Sequence, residues 1–162
     1  MKNNSLINPW KKIDKIKYKN CLDLVADLKQ KDCQVSLWIE DIVKKYKFTF
    51  QQNNLPIHLF RVKVSDLGFN KPAELQEIHS NMFDKGFKLV PPEIAILSRQ
   101  IYDEQPTGEW LRFATPLDSM IDSDGVPHLP KLGKALGKFF IETYWSYPKA
   151  IFHPHNEFVV KK

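Results

Sequence analysis

PPEIAILSRQIYDEQPTGEWLRFAT, residues 91–115, is the stretch whose reading decides the fold. Two prolines preset the entry into a helix, and Glu93 falls in its first turn, where a carboxylate complements the helix dipole. Ile94, Ala95, Leu97 and Ile101 recur at helical spacing and face a core, leaving Ser98, Gln100 and Asp103 largely elsewhere. Pro106-Thr107-Gly108 forces a turn. Glu109 to Thr115 then alternates as a strand, with Leu111 and Phe113 on one face and Trp110, Arg112 and Ala114 on the other. A helix returning directly into a strand gathers Glu93, Arg99, Gln100, Tyr102, Gln105, Glu109 and Trp110 near one corner. Such a set can hold a carboxylate, a phosphate or a base. It can equally be structural, with Arg99 or Arg112 paired to Glu109 and Gln105 satisfying loop backbone.

Working toward the N-terminus, Gly86-Phe87 reads as the stop of a preceding helix that carries Leu75, Ile78, Met82 and Phe83, with Pro72 suited to its first turn. His79 shares that stripe and reads as a half-buried histidine. Ile57 to Val64 is a strand with Phe60, Val62 and Val64 inward and Leu59, Arg61 and Lys63 toward solvent. Asn20 and Ser36 are candidate caps of two earlier helices, the second with Trp38, Ile39, Ile42, Val43 and Tyr46 as a core stripe.

Working toward the C-terminus, Asp118 and Asp122-Ser123-Asp124-Gly125 form an acidic turn. It lacks the later glutamate of a calcium loop, and an Asp-Gly turn explains it. Gly133 and Gly137 argue against a helix over 129–140, so a strand, a tight turn near Gly137 and a strand from Lys138 to Trp145 are expected. In that second strand Phe140 and Tyr144 point inward, with Phe139, Ile141 and Trp145 opposite. Lys131, Lys134, Lys138 and Lys149 interleave with these aromatics, a pattern that can stack bases but reads more simply as core plus solubilising lysines. Glu157 to Val160 closes the chain as a strand.

The expected fold is α+β: a helical N-terminal part packed on one face of an antiparallel C-terminal β-meander. Three regions follow: a basic, flexible leader at 1–19, a helical hairpin at 20–56, and an α+β module at 57–162. With 162 residues, 43% apolar and 27% charged, one folded domain is affordable. Residues 1–19 carry six lysines against one aspartate, which is the whole of the net charge of +5. Basicity thus belongs to the leader, a candidate contact for a nucleic-acid or protein partner. Leu6, Ile7 and Trp10 are too few for membrane anchoring, and no apolar run reaches spanning length. No secretory signal is visible, and Cys21 and Cys33 lack disulfide or metal spacing, which points to thiols in a cytoplasm. His128, His153 and His155 read as ordinary loop histidines, so no metal is expected. No phosphate loop or nucleophile elbow occurs, and no cofactor is expected.

Gly86-Phe87, Pro92-Glu93, Arg99-Gln100, Tyr102, Gln105-Pro106, Gly108-Glu109-Trp110-Leu111 and Asp122-Ser123-Asp124-Gly125 together resemble the pattern of an uncharacterised family of small bacterial hypothetical proteins. Val64-Ser65, Leu67-Gly68-Phe69 and Phe158-Val159-Val160 are similar to it as well. The resemblance spans residues 57–162, and the lysine-rich stretch at 133–140 departs from it. It implies a bacterial intracellular setting and a discrete C-terminal module, and it carries no catalytic role. The function expected is a non-catalytic binding module for a protein or nucleic-acid partner. The alternative is a small hydrolase or transferase built around Glu93, Arg99, Tyr102 and Glu109.

Overall fold

The structure, a computed structural model, describes residues 8–162; Lys2, Leu6 and Ile7 of the leader lie outside them. Along the chain run β1 (Lys11–Ile13), α1 (Cys21–Gln30), β2 (Gln34–Val35), α2 (Leu37–Tyr46), β3 (Ile57–Lys63), β4 (Ala73–Glu74), α3 (Leu75–Asp84) and α4 (Pro92–Ile101). Five strands follow: β5 (Trp110–Phe113), β6 (His128–Ala135), β7 (Lys138–Trp145), β8 (Ile151–Phe152) and β9 (Glu157–Lys161). The class is α+β.

Local chemistry accounts for the helix ends. The Asn20 side chain accepts from the Asp23 N–H at 2.9 Å, and Ser36 Oγ accepts from the Ile39 N–H at 3.2 Å. α3 opens on a reciprocal Glu74–Glu77 capping box. It closes at Gly86, whose φ of 84° lets its N–H reach the Phe83 carbonyl while the Phe87 N–H reaches that of Met82. Pro72, expected inside the first turn of α3, precedes β4 instead: the chain stays extended through Ala73–Glu74 to pair with β8 before turning helical.

Seven strands form one mixed sheet in the order β1-β3-β9-β5-β6-β7-β2, and β4 pairs with β8 apart from it. β5, β6 and β7 are consecutive antiparallel neighbours, whereas β9 lies between β3 and β5, parallel to β5. The basic leader contributes an edge strand, with β1 antiparallel to β3 and the Trp10 N–H donating to the Leu59 carbonyl. At the far edge β2 pairs in parallel with Phe140 and Ile141 of β7.

The helices do not share one face. α1, α2 and α4 bury Leu24, Leu28, Ile39, Ile42, Ile94 and Ala95 against Leu59, Leu111, Phe113, Leu132, Ile141 and Val159. α3 and β8 bury Leu75, Ile78, Met82 and Phe152 against Phe60, Val62, Phe158 and Val160 on the opposite face. Leu59, expected toward solvent, is fully buried because helices cover that side of β3. In β7 the expected facing is reversed. Ile141 is the fully buried residue and Phe139 packs on the helix-side core, while Phe140 and Tyr144 are partly buried on the other face. Trp38 and Phe83, expected in core stripes, are exposed. Ser98, expected away from the core, is buried, and its hydroxyl donates to the Ile94 carbonyl.

Candidate functional site

Four of the side chains gathered from the 91–115 stretch meet where α4 runs into β5. Tyr102 Oη donates to Glu109 Oε1 at 2.7 Å, and Arg61 of β3 donates to Tyr102 Oη at 3.0 Å and to Glu109 Oε2 at 3.0 Å. Arg61 also donates through Nε to Glu157 at 2.7 Å. Arg99, 3% exposed, donates to Gln105 Oε1 and to the carbonyls of Tyr102, Gly133 and Phe140. Gln105 passes its own N–H groups to the carbonyls of Glu109 and Leu132. Burial pushes the Tyr102 phenol up to about 12, reinforced by its bond to Glu109. Burial lowers Arg99 to about 10. Burial also acts to lower Arg61, but its bonds to Glu157 and Glu109 outweigh that and raise it. This set is a clasp between α4, β3, β5 and β6, and its groups are largely spent on one another.

The other three residues stand apart from the clasp. Gln100 donates to Tyr18 Oη at 2.8 Å. Glu93 lines a separate cavity of about 300 Å³ with Gln51, Asn54 and Lys161, and burial raises its carboxyl. Trp110 lies flat across Gly133, where an added Cβ would run into the indole ring.

A more open concavity lies at the other end of β6 and β7. It has a volume of about 340 Å³ and is lined by Trp38 from α2, by Asp122, Asp124, Val126 and His128, and by Thr143, Tyr144 and Trp145 of β7. Trp38 and Trp145 are 56% and 59% exposed, unusual for the largest side chain, and they give the cleft two aromatic walls. Trp38 sits over His128 with ring centroids 5.9 Å apart.

The floor is rigid. His128 Nε2 meets Asp122 Oδ2 at 2.8 Å and Nδ1 meets Thr143 Oγ1 at 2.9 Å. A carboxylate only accepts, so Nε2–H donates to Asp122, and Nδ1 shares a hydrogen bond with the Thr143 hydroxyl. The His128 bond, with backbone N–H groups of Val126 and Asp124 behind it, holds the Asp122 carboxyl below the usual carboxylate range. α2 is tied to this turn by Asp41, which accepts from the Ser123 N–H and hydroxyl, and by Lys45, which donates to the Ile121 and Asp122 carbonyls. With His128 2% exposed and both nitrogens engaged, the imidazole is a fixed wall. The Asp124 carboxylate, by contrast, is exposed and has no side-chain partner among the described residues.

The cleft also carries a row of backbone groups. The Ser36 N–H donates to the Ile141 carbonyl, so Ile141 faces the β2 edge. Peptide groups alternate along a strand, so those of Thr143 and Trp145 face the same edge, beyond the end of β2. α2 has begun by then and offers them no strand.

The signal for this site was present but dispersed. Trp38 stands one residue before Ile39, off the stripe of Ile39, Ile42 and Val43, and Asp122 and His128 flank the acidic turn. Among the described residues, no group of three or more His, Cys, Asp or Glu could hold a metal, and no helix is long and apolar enough to cross a membrane. No protein-family model, no curated protein and no solved structure matches this chain.

Proposed function

We propose that the chain is a non-catalytic binding module that takes an extended, basic segment of a protein partner as an added strand along the open edge of β7. One observation carries the reading: the peptide groups of Thr143 and Trp145, which have no partner across the β2 edge among the described residues, border a cleft walled by two exposed tryptophans. Strand addition supplies backbone hydrogen bonds, and side-chain pockets supply selectivity. Asp124 at the rim, with Asp41 behind it, favours a lysine or arginine on the incoming segment. A cytoplasmic setting belongs to the same proposal. Cys21 and Cys33 are buried and unpaired, and burial, followed by the charge of Glu93, pushes the Cys21 thiol up to about 12.

The test is selection of displayed random peptides on the whole chain, followed by affinity measurement. The peptides recovered should be extended and carry lysine or arginine. Trp38→Ala or Trp145→Ala should each cost about 2 kcal/mol or more, roughly thirtyfold in affinity. Asp124→Asn should cost at most about fivefold, as a rim charge does. Selected peptides that bind the two tryptophan variants as well as the parent would remove the proposal.

The enzyme alternative draws less support. Arg99, Tyr102 and Glu109 are engaged with protein partners, and Glu93 lines a different cavity.

A further inference from the structure

The sheet face opposite α1, α2 and α4 is only partly covered. α3 and β8 close it over β3 and β9, while on β5, β6 and β7 it presents three successive cross-strand rows. The first is Trp110–Gly133–Phe140, the second Arg112–Lys131–Glu142, and the third pairs Leu129 with Tyr144. A charged row is thus flanked by Trp110 and Phe140 on one side and by Tyr144, packed against Phe152 of β8, on the other, with rows about 7 Å apart along the strands. Trp110, Arg112, Lys131, Phe140, Glu142 and Tyr144 are each partly exposed.

The charges in the middle row are not balanced. Arg112 has no carboxylate within ion-pair distance among the described residues, and its Nε has no hydrogen-bond partner. Its guanidinium lies 5.4 Å from the Tyr144 ring and 5.7 Å from that of Phe152. Lys131 Nζ stands 4.9 Å from the Trp110 ring and 5.8 Å from Tyr144, likewise without an ion pair. Glu142, next in the row, draws on Lys131, while Arg112 repels it. Burial lowers the pKa of both cations. Two like charges half-withdrawn from water side by side are costly unless an anion joins them.

We infer that this face binds single-stranded nucleic acid, with a phosphate between Arg112 and Lys131 and bases stacked on the Trp110–Phe140 row and on Tyr144. Stacking on aromatic rings needs unpaired bases, which favours a single strand over a duplex. The site shares Tyr144 with the cleft, whose Trp38 wall and β7 edge lie on the helix-covered side.

The test is titration of the whole chain with oligothymidylate, followed by the indole N–H signals in NMR and by affinity as a function of salt. The Trp110 signal should shift, and that of Trp38 should not. Arg112→Gln with Lys131→Gln should weaken binding about tenfold or more and reduce the slope of log K against log salt by about 0.7. Phe140→Ala should weaken it by about tenfold. Lys15→Gln with Lys17→Gln, in the leader, should leave the Trp110 shift intact. A wild-type chain whose Trp110 signal stays still, or a double variant with unchanged slope, would overturn the inference. The wild-type measurement decides the matter even if the double variant fails to fold. Basic peptides selected on the cleft should move Trp38 and leave Trp110 still, so failure at one site is distinguishable from failure at the other.

Discussion

An arginine among isoleucines on one helix has two physical outcomes: it reaches solvent, or the interior provides acceptors for it. Arg99 takes the second course, with the carbonyls of Tyr102, Gly133 and Phe140 around its guanidinium. Arg99→Leu would take one donor from each of those buried carbonyls and from Gln105 Oε1, and we expect a loss of about 3 kcal/mol in urea unfolding. His79 is the opposite case. It is 5% exposed, its Nε2 has no partner among the described residues, and burial pushes its pKa down to about 4. The unfolded chain titrates this group near 6.5, so between pH 6.5 and 4 the unfolded state binds the extra proton and stability falls as pH falls. The loss amounts to about 3 kcal/mol, is complete below pH 4, and is absent above 6.5. His79→Leu should flatten this limb in unfolding measurements across pH. The Asp122 carboxyl, held below its usual range by His128, contributes stability at neutral pH that disappears only at lower pH.

At the scale of elements, the sequence was most legible where a single residue type has a single local use. Asn20 and Ser36 cap the helices they were expected to cap, Gly86-Phe87 closes α3, and the strand–turn–strand over 128–145 follows from Gly133 and Gly137. That hairpin turns through Leu136 at φ 51° and Gly137 at φ 73°, both left-handed. Leu136 is 95% exposed and contributes no core contact, so its side chain has only the unfavourable backbone to its account. Asparagine tolerates that conformation better. Leu136→Asn should therefore raise stability by about 0.5–1 kcal/mol, visible as a higher melting temperature. The face each strand residue occupies was less legible, because a sheet with helices on both sides gives apolar residues to both faces. Ile141 and Phe140 are equally apolar, and alternation alone does not say which meets the helices.

For the molecule as a whole, what escaped the sequence is what depends on segments distant in the chain. β9 enters between β3 and β5, β1 and β2 add the two edges, and α3 goes to the face the other helices leave. None of these follows from local spacing, since pairing partners are chosen by the total area they bury. The candidate sites behaved the same way. The clasp of Arg99, Tyr102, Gln105 and Glu109 was foreseeable because a short turn joins its members, yet Arg61 and Glu157, which complete it, come from β3 and β9. The cleft needs Trp38 from α2, Asp122 and His128 around a turn, and Trp145 from β7, three segments with no shared motif.

Strand addition to the edge of β7 beyond Val35, beside Trp38 and Trp145, is the proposal on which the binding function rests. Amide NMR of the whole chain with a selected basic peptide measures it most directly. The Thr143 and Trp145 amides should shift most, become protected from exchange, and lose both effects in Trp38→Ala. Amides at 143 and 145 already protected in the free chain, or peptide-induced shifts confined to another face, would contradict it.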